Sequence, residues 1–222
     1  MLRGAIFDMD GTLIDSLMFW DHFWSEIGRR YMGDSAFRPT EEIDKRVRTM
    51  VYRDATACLH EHYRLSVPFD EFYAFAVDAL RTFYRERATV KPGAFAILDY
   101  LREHGVRLCL ASASAMDEIR YTLDHHGLLP YFDGVLSCAD LGVGKDRPDI
   151  YLLAAKTLGL LPEEIFVFED SFVALETAKA AGFHTVGLYD RYNFDQERLR
   201  ASSEIYMDEH SDLASLIGAP GL

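Results

Sequence analysis

Two aspartates one residue apart, in the stretch Asp8-Met9-Asp10-Gly11-Thr12, and a second acidic pair, Glu169-Asp170, are the residues of this chain best suited to chemistry. Each pair follows a short apolar run, Arg3 to Phe7 in the first case and Ile165 to Phe168 in the second. Ser112 follows a third run, Val106 to Ala111, and Lys145 lies in the loop after a fourth, Gly134 to Ser137. Carboxylates gathered in one place repel each other and raise one another's pKa unless a cation sits among them. Mg2+ suits such a set, since it takes oxygen ligands, keeps several waters and binds phosphate oxygens. Lys145 and Ser112 then supply a point charge and a hydroxyl for phosphate oxygens. That combination of positioning and charge neutralisation is what phosphoryl transfer needs.

The elements that must bring these groups together are legible as short apolar runs bounded by Gly, Pro or acidic residues, the four above and a fifth from His184 to Leu188. Between them lie helical patterns: Ala94 to His104, Met116 to His126, Asp149 to Leu158 and Val173 to Ala181, each followed by glycine. Strands alternating with helices of this length predict a doubly wound α/β core with a parallel sheet, whose ligand-binding groups collect at the carboxyl ends of the strands. One region breaks the alternation. From Ser16 to about Arg87 the pattern is helical only: Leu17 to Tyr31, a segment from Thr40 with Ile43, Val47, Met50 and Val51 as its apolar stripe, and Phe69 to Tyr84. The expected domains are therefore a core of residues 1–15 and 88–222 and an inserted all-helical domain of residues 16–87, with hinges at Leu13 to Ser16 and Thr89 to Gly93.

Composition narrows the function classes. The chain has 222 residues, enough to bury one full core and a smaller second one. Its net charge of -13 argues against a nucleic-acid partner, because phosphate backbones attract clustered Lys and Arg. The three cysteines, Cys58, Cys109 and Cys138, are odd in number and widely spaced, so they predict buried thiols rather than a disulfide framework or a Cys-x-x-Cys metal site. No stretch has the length of a transmembrane helix, and Asp8 and Asp10 interrupt the apolar N-terminus. A soluble cytoplasmic protein is expected, a monomer with no membrane or nucleic-acid partner.

Asp8-Met9-Asp10-Gly11-Thr12-Leu13, Ser112, Lys145 and Phe168-Glu169-Asp170-Ser171, in that order, resemble the four motifs of the haloacid dehalogenase-like superfamily, and the match runs from end to end of the chain. Within it the sequence is most similar to the branch of β-phosphoglucomutase and phosphoglycolate phosphatase, with the helical insert where that branch carries a cap domain. The resemblance implies a Rossmann-like core with five main parallel strands, a mobile helical cap and an aspartyl-phosphate intermediate. It also implies roles: Asp8 attacks phosphorus and binds Mg2+; Asp10 protonates the leaving alcohol, activates water and ligates the metal through its carbonyl. Ser112, Ala113 and Lys145 grip the phosphoryl group, and Glu169 and Asp170 complete the metal shell. The expected activity is hydrolysis of a small phosphorylated metabolite, with a phosphomutase as the close rival. A dehalogenase would need neither Asp10 nor the acidic pair. In a receiver module the acidic pair would precede the accepting aspartate. Two departures stand out: Asp146-Arg147 follows Lys145 where the family often has Pro-x, and no glycine follows within a few residues of Asp170.

Several groups have plainer readings. Gly142-Val143-Gly144-Lys145 lacks the glycine spacing and the Ser or Thr of a nucleotide loop. His125-His126 reads as a polar helix end, since adjacent residues do not share a helix face. Phe69, Phe72, Tyr73, Phe83 and Tyr84 read as core of the insert. Of the cations Lys45, Arg46, Arg48 and Arg53, Arg46 and Arg48 are the candidates for contact with the non-transferring end of a substrate.

Overall fold

The computed structural model describes residues 2–48 and 50–222. Strand β1 (Gly4–Phe7) is buried along its whole length, as an apolar run at the centre of a parallel sheet must be. The chain then turns into the two-residue strand β2 (Ile14–Asp15) and enters a run of helices: α1 (Phe19–Ile27), a π-helical turn (Gly28–Met32), α2 (Glu41–Arg48), α3 (Tyr52–His62) and α4 (Phe69–Glu86). It returns through β3 (Thr89–Val90), which pairs antiparallel with β2. From there helices and strands alternate: α5 (Ala94–Glu103), β4 (Arg107–Ser112), α6 (Met116–His125), β5 (Gly134–Ser137), α7 (Cys138–Leu141), α8 (Asp149–Leu158), β6 (Ile165–Glu169), α9 (Phe172–Ala180), β7 (His184–Leu188), α10 (Gln196–Ser202) and β8 (Ile205–Met207).

The sheet has six strands in the order β5-β4-β1-β6-β7-β8, every neighbouring pair parallel. This is the Rossmann-like α/β arrangement, with β1 at its centre. The sixth strand, β8, lies beyond the five main strands expected. It is three residues long, too short for a period-two pattern to stand out. Side chains alternate across the sheet. Ile6, Cys109 and Val167 pack with Tyr151, Ala154 and Leu158 of α8 and Ala174 and Ala178 of α9. Phe7 stacks on Phe168 with ring centroids 4.1 Å apart. Burying a large apolar side chain such as Ile6, Val167, Leu158 or Phe7 stabilises the fold by about 1.5–3 kcal/mol.

The chain divides into two compact units, Met1–Asp15 with Thr89–Leu222, and Ser16–Ala88. Within the helical unit Phe19 and Phe23 of α1 stack at 5.2 Å, and Phe19 meets Phe83 of α4 edge-on at 5.5 Å. Phe72, Phe83 and Tyr84 are buried there. Phe69 and Tyr73 are half-buried and lie beneath the Arg53 guanidinium. The segment from Thr40 is not one helix but two. Ile43 and Val47 are buried on α2, whereas Val51, β-branched and extended at ψ 138°, starts α3, so the expected stripe through Met50 and Val51 does not form.

Gly93 shows how tightly the core closes where the chain re-enters it. It precedes α5 at φ +77°, and a Cβ there would lie 2.3 Å from the backbone nitrogen of Ala214. Both the backbone conformation and the space exclude a side chain. Gly93→Ala should therefore lower stability by about 2 kcal/mol or more in urea denaturation, and an unchanged midpoint would show that the α5 start is looser than described.

Candidate active site

Asp8 follows β1 and Glu169 ends β6, neighbouring strands at the centre of the sheet that pair from Gly4 with Ile165 to Phe7 with Phe168. The Asp8 N–H donates to the Phe168 carbonyl at 3.0 Å, so the ladder itself sets the height of Asp8 against Glu169. Beyond Asp8 the chain folds back sharply. Leu13 and Ile14 N–H groups donate to the Met9 carbonyl at 3.0 and 2.9 Å, and Gly11, at φ +77°, donates to the Ile14 carbonyl at 2.9 Å. The left-handed conformation at Gly11, which glycine adopts without steric cost, closes this fold-back immediately after Asp10.

The neighbouring strand ends are stitched to this turn. Ser114 Oγ donates to Asp10 Oδ2 at 3.0 Å, and Ser137 Oγ, at the end of β5, donates to the Ser114 carbonyl at 2.6 Å. Ser112 is fully buried at the end of β4, and its hydroxyl accepts from the Ser114 N–H at 3.1 Å. A hydroxyl used in this way keeps its proton to donate elsewhere. Ala113 beside it is exposed.

Lys145 links the two acidic stretches. Its ammonium lies 2.5 Å from both Asp8 Oδ1 and Glu169 Oε1, and their side chains are 11%, 8% and 1% exposed. Tyr151 donates its hydroxyl to the same Glu169 oxygen at 3.0 Å. Asp170 receives the Thr12 hydroxyl on Oδ1 at 3.3 Å and the Asn193 side-chain amide on Oδ2 at 2.7 Å. Burial pushes Asp8 well above the usual carboxylate range, with Glu169, Asp170 and Asp10 adding to the rise and Lys145 opposing it. Burial likewise pushes Asp170 up to about 7, helped by Glu169 and Asp190. Burial works against the Lys145 ammonium, but the carboxylates of Asp8 and Glu169 outweigh it, and its pKa is raised.

Ligand atoms of Asp8, Glu169 and Asp170 all lie within 4.8 Å of one another. Three carboxylates against one ammonium leave two negative charges without compensation when all are ionised, a deficit that one divalent cation matches. The donors are oxygens. Burial pushes the nearby Cys138 thiol up to about 11, and the ligand atoms that cluster are the carboxylate oxygens alone. A hard divalent cation fits this donor set.

The two arginines singled out in the helical unit differ. Arg46 is exposed on α2. Arg48 is only 11% exposed in its side chain, paired with Asp44 at 2.9 Å and with Asp21 at 3.5 Å, and lies over the Trp20 ring. Sequence alone does not single out Tyr151, Asn193 or the buried pair of Lys91 and Asp190, 2.6 Å apart. Asn193 lies in a stretch with no motif, and Lys91 and Asp190 are 99 positions apart, so no local pattern carries them.

Comparison with known proteins agrees with this architecture. A family model described as haloacid dehalogenase-like hydrolase matches residues 2–182. A phosphorylated carbohydrates phosphatase from Thermotoga maritima is 28% identical over 186 residues, covering 83% of this chain and 84% of that protein. Hexitol phosphatase A from Escherichia coli is 28% identical over 188 residues, covering 84% and 82%. The crystal structure of a β-phosphoglucomutase from Clostridium difficile superposes with a TM-score of 0.76 at 20% identity, covering 97% of this chain and 93% of that one, a likeness of fold. With its motifs gathered on one edge of a six-stranded parallel sheet and the family model spanning most of its length, the chain belongs to the haloacid dehalogenase-like hydrolases.

Proposed function

We propose that this protein is a magnesium-dependent phosphatase of small phosphomonoesters, sugar phosphates among them, working through an aspartyl-phosphate on Asp8. The observation that carries the reading is the buried contact of Lys145 with both Asp8 and Glu169, next to Asp170 and one turn from Asp10. The names of the two phosphatase relatives point to the same substrate class. Asp8 attacks phosphorus as the ester oxygen leaves, and Asp10, oriented by Ser114, gives that oxygen its proton. Asp10 then takes a proton from the water that attacks phosphorus, and the Asp8 carboxylate is released with inorganic phosphate. Lys145 and Ser112, with the Ala113 N–H, hold the phosphoryl oxygens. Asp8, Glu169, Asp170 and the Asp10 carbonyl would hold the cation, whose chemistry is neutralisation of charge on the phosphoryl group.

Asp8→Asn should remove magnesium-dependent release of phosphate from a phosphomonoester panel while leaving the fold intact, and Asp10→Asn should lower kcat by roughly 10²–10⁴-fold. An Asp8→Asn variant with near-normal turnover would end the covalent reading. The same panel primed with a sugar bisphosphate separates a phosphatase, which releases phosphate, from a mutase, which forms an isomer.

The raised carboxyl groups make a second prediction with a definite sign. Asp8 and Asp170 hold protons in the folded chain at a pH where the unfolded chain has lost them, so their contribution favours the fold at low pH. The metal-free protein should lose the Asp170 share of that contribution as pH rises from the ordinary carboxylate range to about 7, and magnesium should restore stability above that point. Melting curves across pH, with and without magnesium, check this; a magnesium effect that is the same at every pH would contradict it.

The helical unit is proposed to act as the cap that selects the substrate. Arg46→Ala should raise KM more than it lowers kcat, whereas Arg48→Ala should mainly lower stability, because it removes the ion pairs to Asp44 and Asp21. Steady-state kinetics and melting of both variants check the split, and unchanged KM for Arg46→Ala would remove it from the substrate site.

A further inference from the structure

One polar side chain next to the acidic cluster has no part in the chemistry above. Asn193, in the turn after β7, donates from Nδ2 to the Asp170 carbonyl at 2.8 Å and to Asp170 Oδ2 at 2.7 Å. Its Oδ1 accepts from the Phe194 N–H at 2.9 Å. Both atoms facing Nδ2 are acceptors and the group facing Oδ1 is a donor, so the amide has one satisfying orientation. Two bonds from one nitrogen to the main chain and the side chain of the same residue hold the carboxylate against rotation about its own Cα–Cβ bond.

The turn that presents Asn193 is itself anchored. Asp190 is 4% exposed. Its Oδ1 accepts from the Tyr192 N–H at 2.8 Å, and its Oδ2 takes the Lys91 ammonium at 2.6 Å. The Asp190 carbonyl accepts from the Asn193 N–H at 3.0 Å and from Gln196 Nε2 at 2.9 Å. Lys91 in turn donates its backbone N–H to the Leu13 carbonyl at 2.8 Å, in the segment that follows Asp10. A buried ion pair with its remaining lone pairs satisfied is a rigid support, and breaking one from either side is costly. The arrangement therefore fixes the amide before any ligand arrives.

We propose that Asn193 is a positioning residue for the divalent cation, holding Asp170 in its ligating orientation from a turn clamped by Lys91 and Asp190. The proposal rests on the reading that Asp8, Glu169 and Asp170 bind that cation. Outer hydrogen-bond partners of this kind set ligand orientation, and their loss costs about 10–100-fold in metal affinity.

The test is Mn2+ binding by the metal-free protein, followed by electron paramagnetic resonance of the free ion, for wild type, Asn193→Ala and Asn193→Gln. The second variant keeps an amide but moves it by one methylene. Both variants should bind Mn2+ about 10–100-fold more weakly while their metal-free melting temperatures stay within a few degrees of wild type. A folded variant that binds within twofold of wild type would overturn the proposal. If neither variant folds, Asn193 supports the turn rather than the carboxylate, and the proposal fails. Wild type that binds no Mn2+ would instead sink the metal reading itself, so the two failures are distinguishable.

Discussion

Placing three carboxylates out of water around a single ammonium is the constraint on which the rest of this structure depends. Asp8, Glu169 and Asp170 are each less than a tenth exposed, and burial raises both Asp8 and Asp170. An apolar interior does not tolerate such a set unless the charges are paired, and one lysine pairs only part of it. The sheet order explains how the groups come to meet. With β1 central and β4 and β6 on either side, the ends of three strands deliver Asp8, Ser112 and Glu169 to one edge without any long loop. The Phe7–Phe168 stack packs the two acid-bearing strands together directly beneath their carboxylates.

Asp8 and Asp10 share a stretch but not an environment, and that difference supports separate roles. Asp8 is buried against the Lys145 ammonium. Asp10 lies just before the left-handed turn at Gly11, half-buried, with the Ser114 hydroxyl on one oxygen. Two carboxyl groups held in unlike surroundings are how one site supplies both a nucleophile and a proton carrier. The stitching of Ser114 to Ser137 and Ser112 ties Asp10 to the β4 and β5 ends, so it is placed by the core rather than by a free loop.

Much of this was legible in the sequence because its signals are local. The runs that became β1, β4, β5, β6 and β7 are buried apolar segments closed by turn residues, and the glycines after α5, α6, α8 and α9 mark real helix ends. The acidic pairs stand at strand ends, where their meeting follows from topology. What escaped was short or non-local. Strand β8 and helix α10 are too brief to show periodicity, and the break between α2 and α3 lies inside what reads as one amphipathic stretch. Arg48 reads like Arg46 in sequence, yet it sinks into ion pairs because Asp44 lies one helical turn before it and Asp21 comes to it from α1. Asn193 carries no signal at all until the fold sets it against Asp170.

In the proposed reaction the phosphoryl group passes through a covalent bond to Asp8. Acid quenching of the enzyme during turnover of a phosphomonoester, followed by peptide mapping by mass spectrometry, tests it most directly. A covalent route through Asp8 places a phosphoryl adduct on the peptide that contains Asp8, on that side chain and no other. An adduct on a different residue, or an enzyme that carries none at any time during rapid turnover, would contradict it.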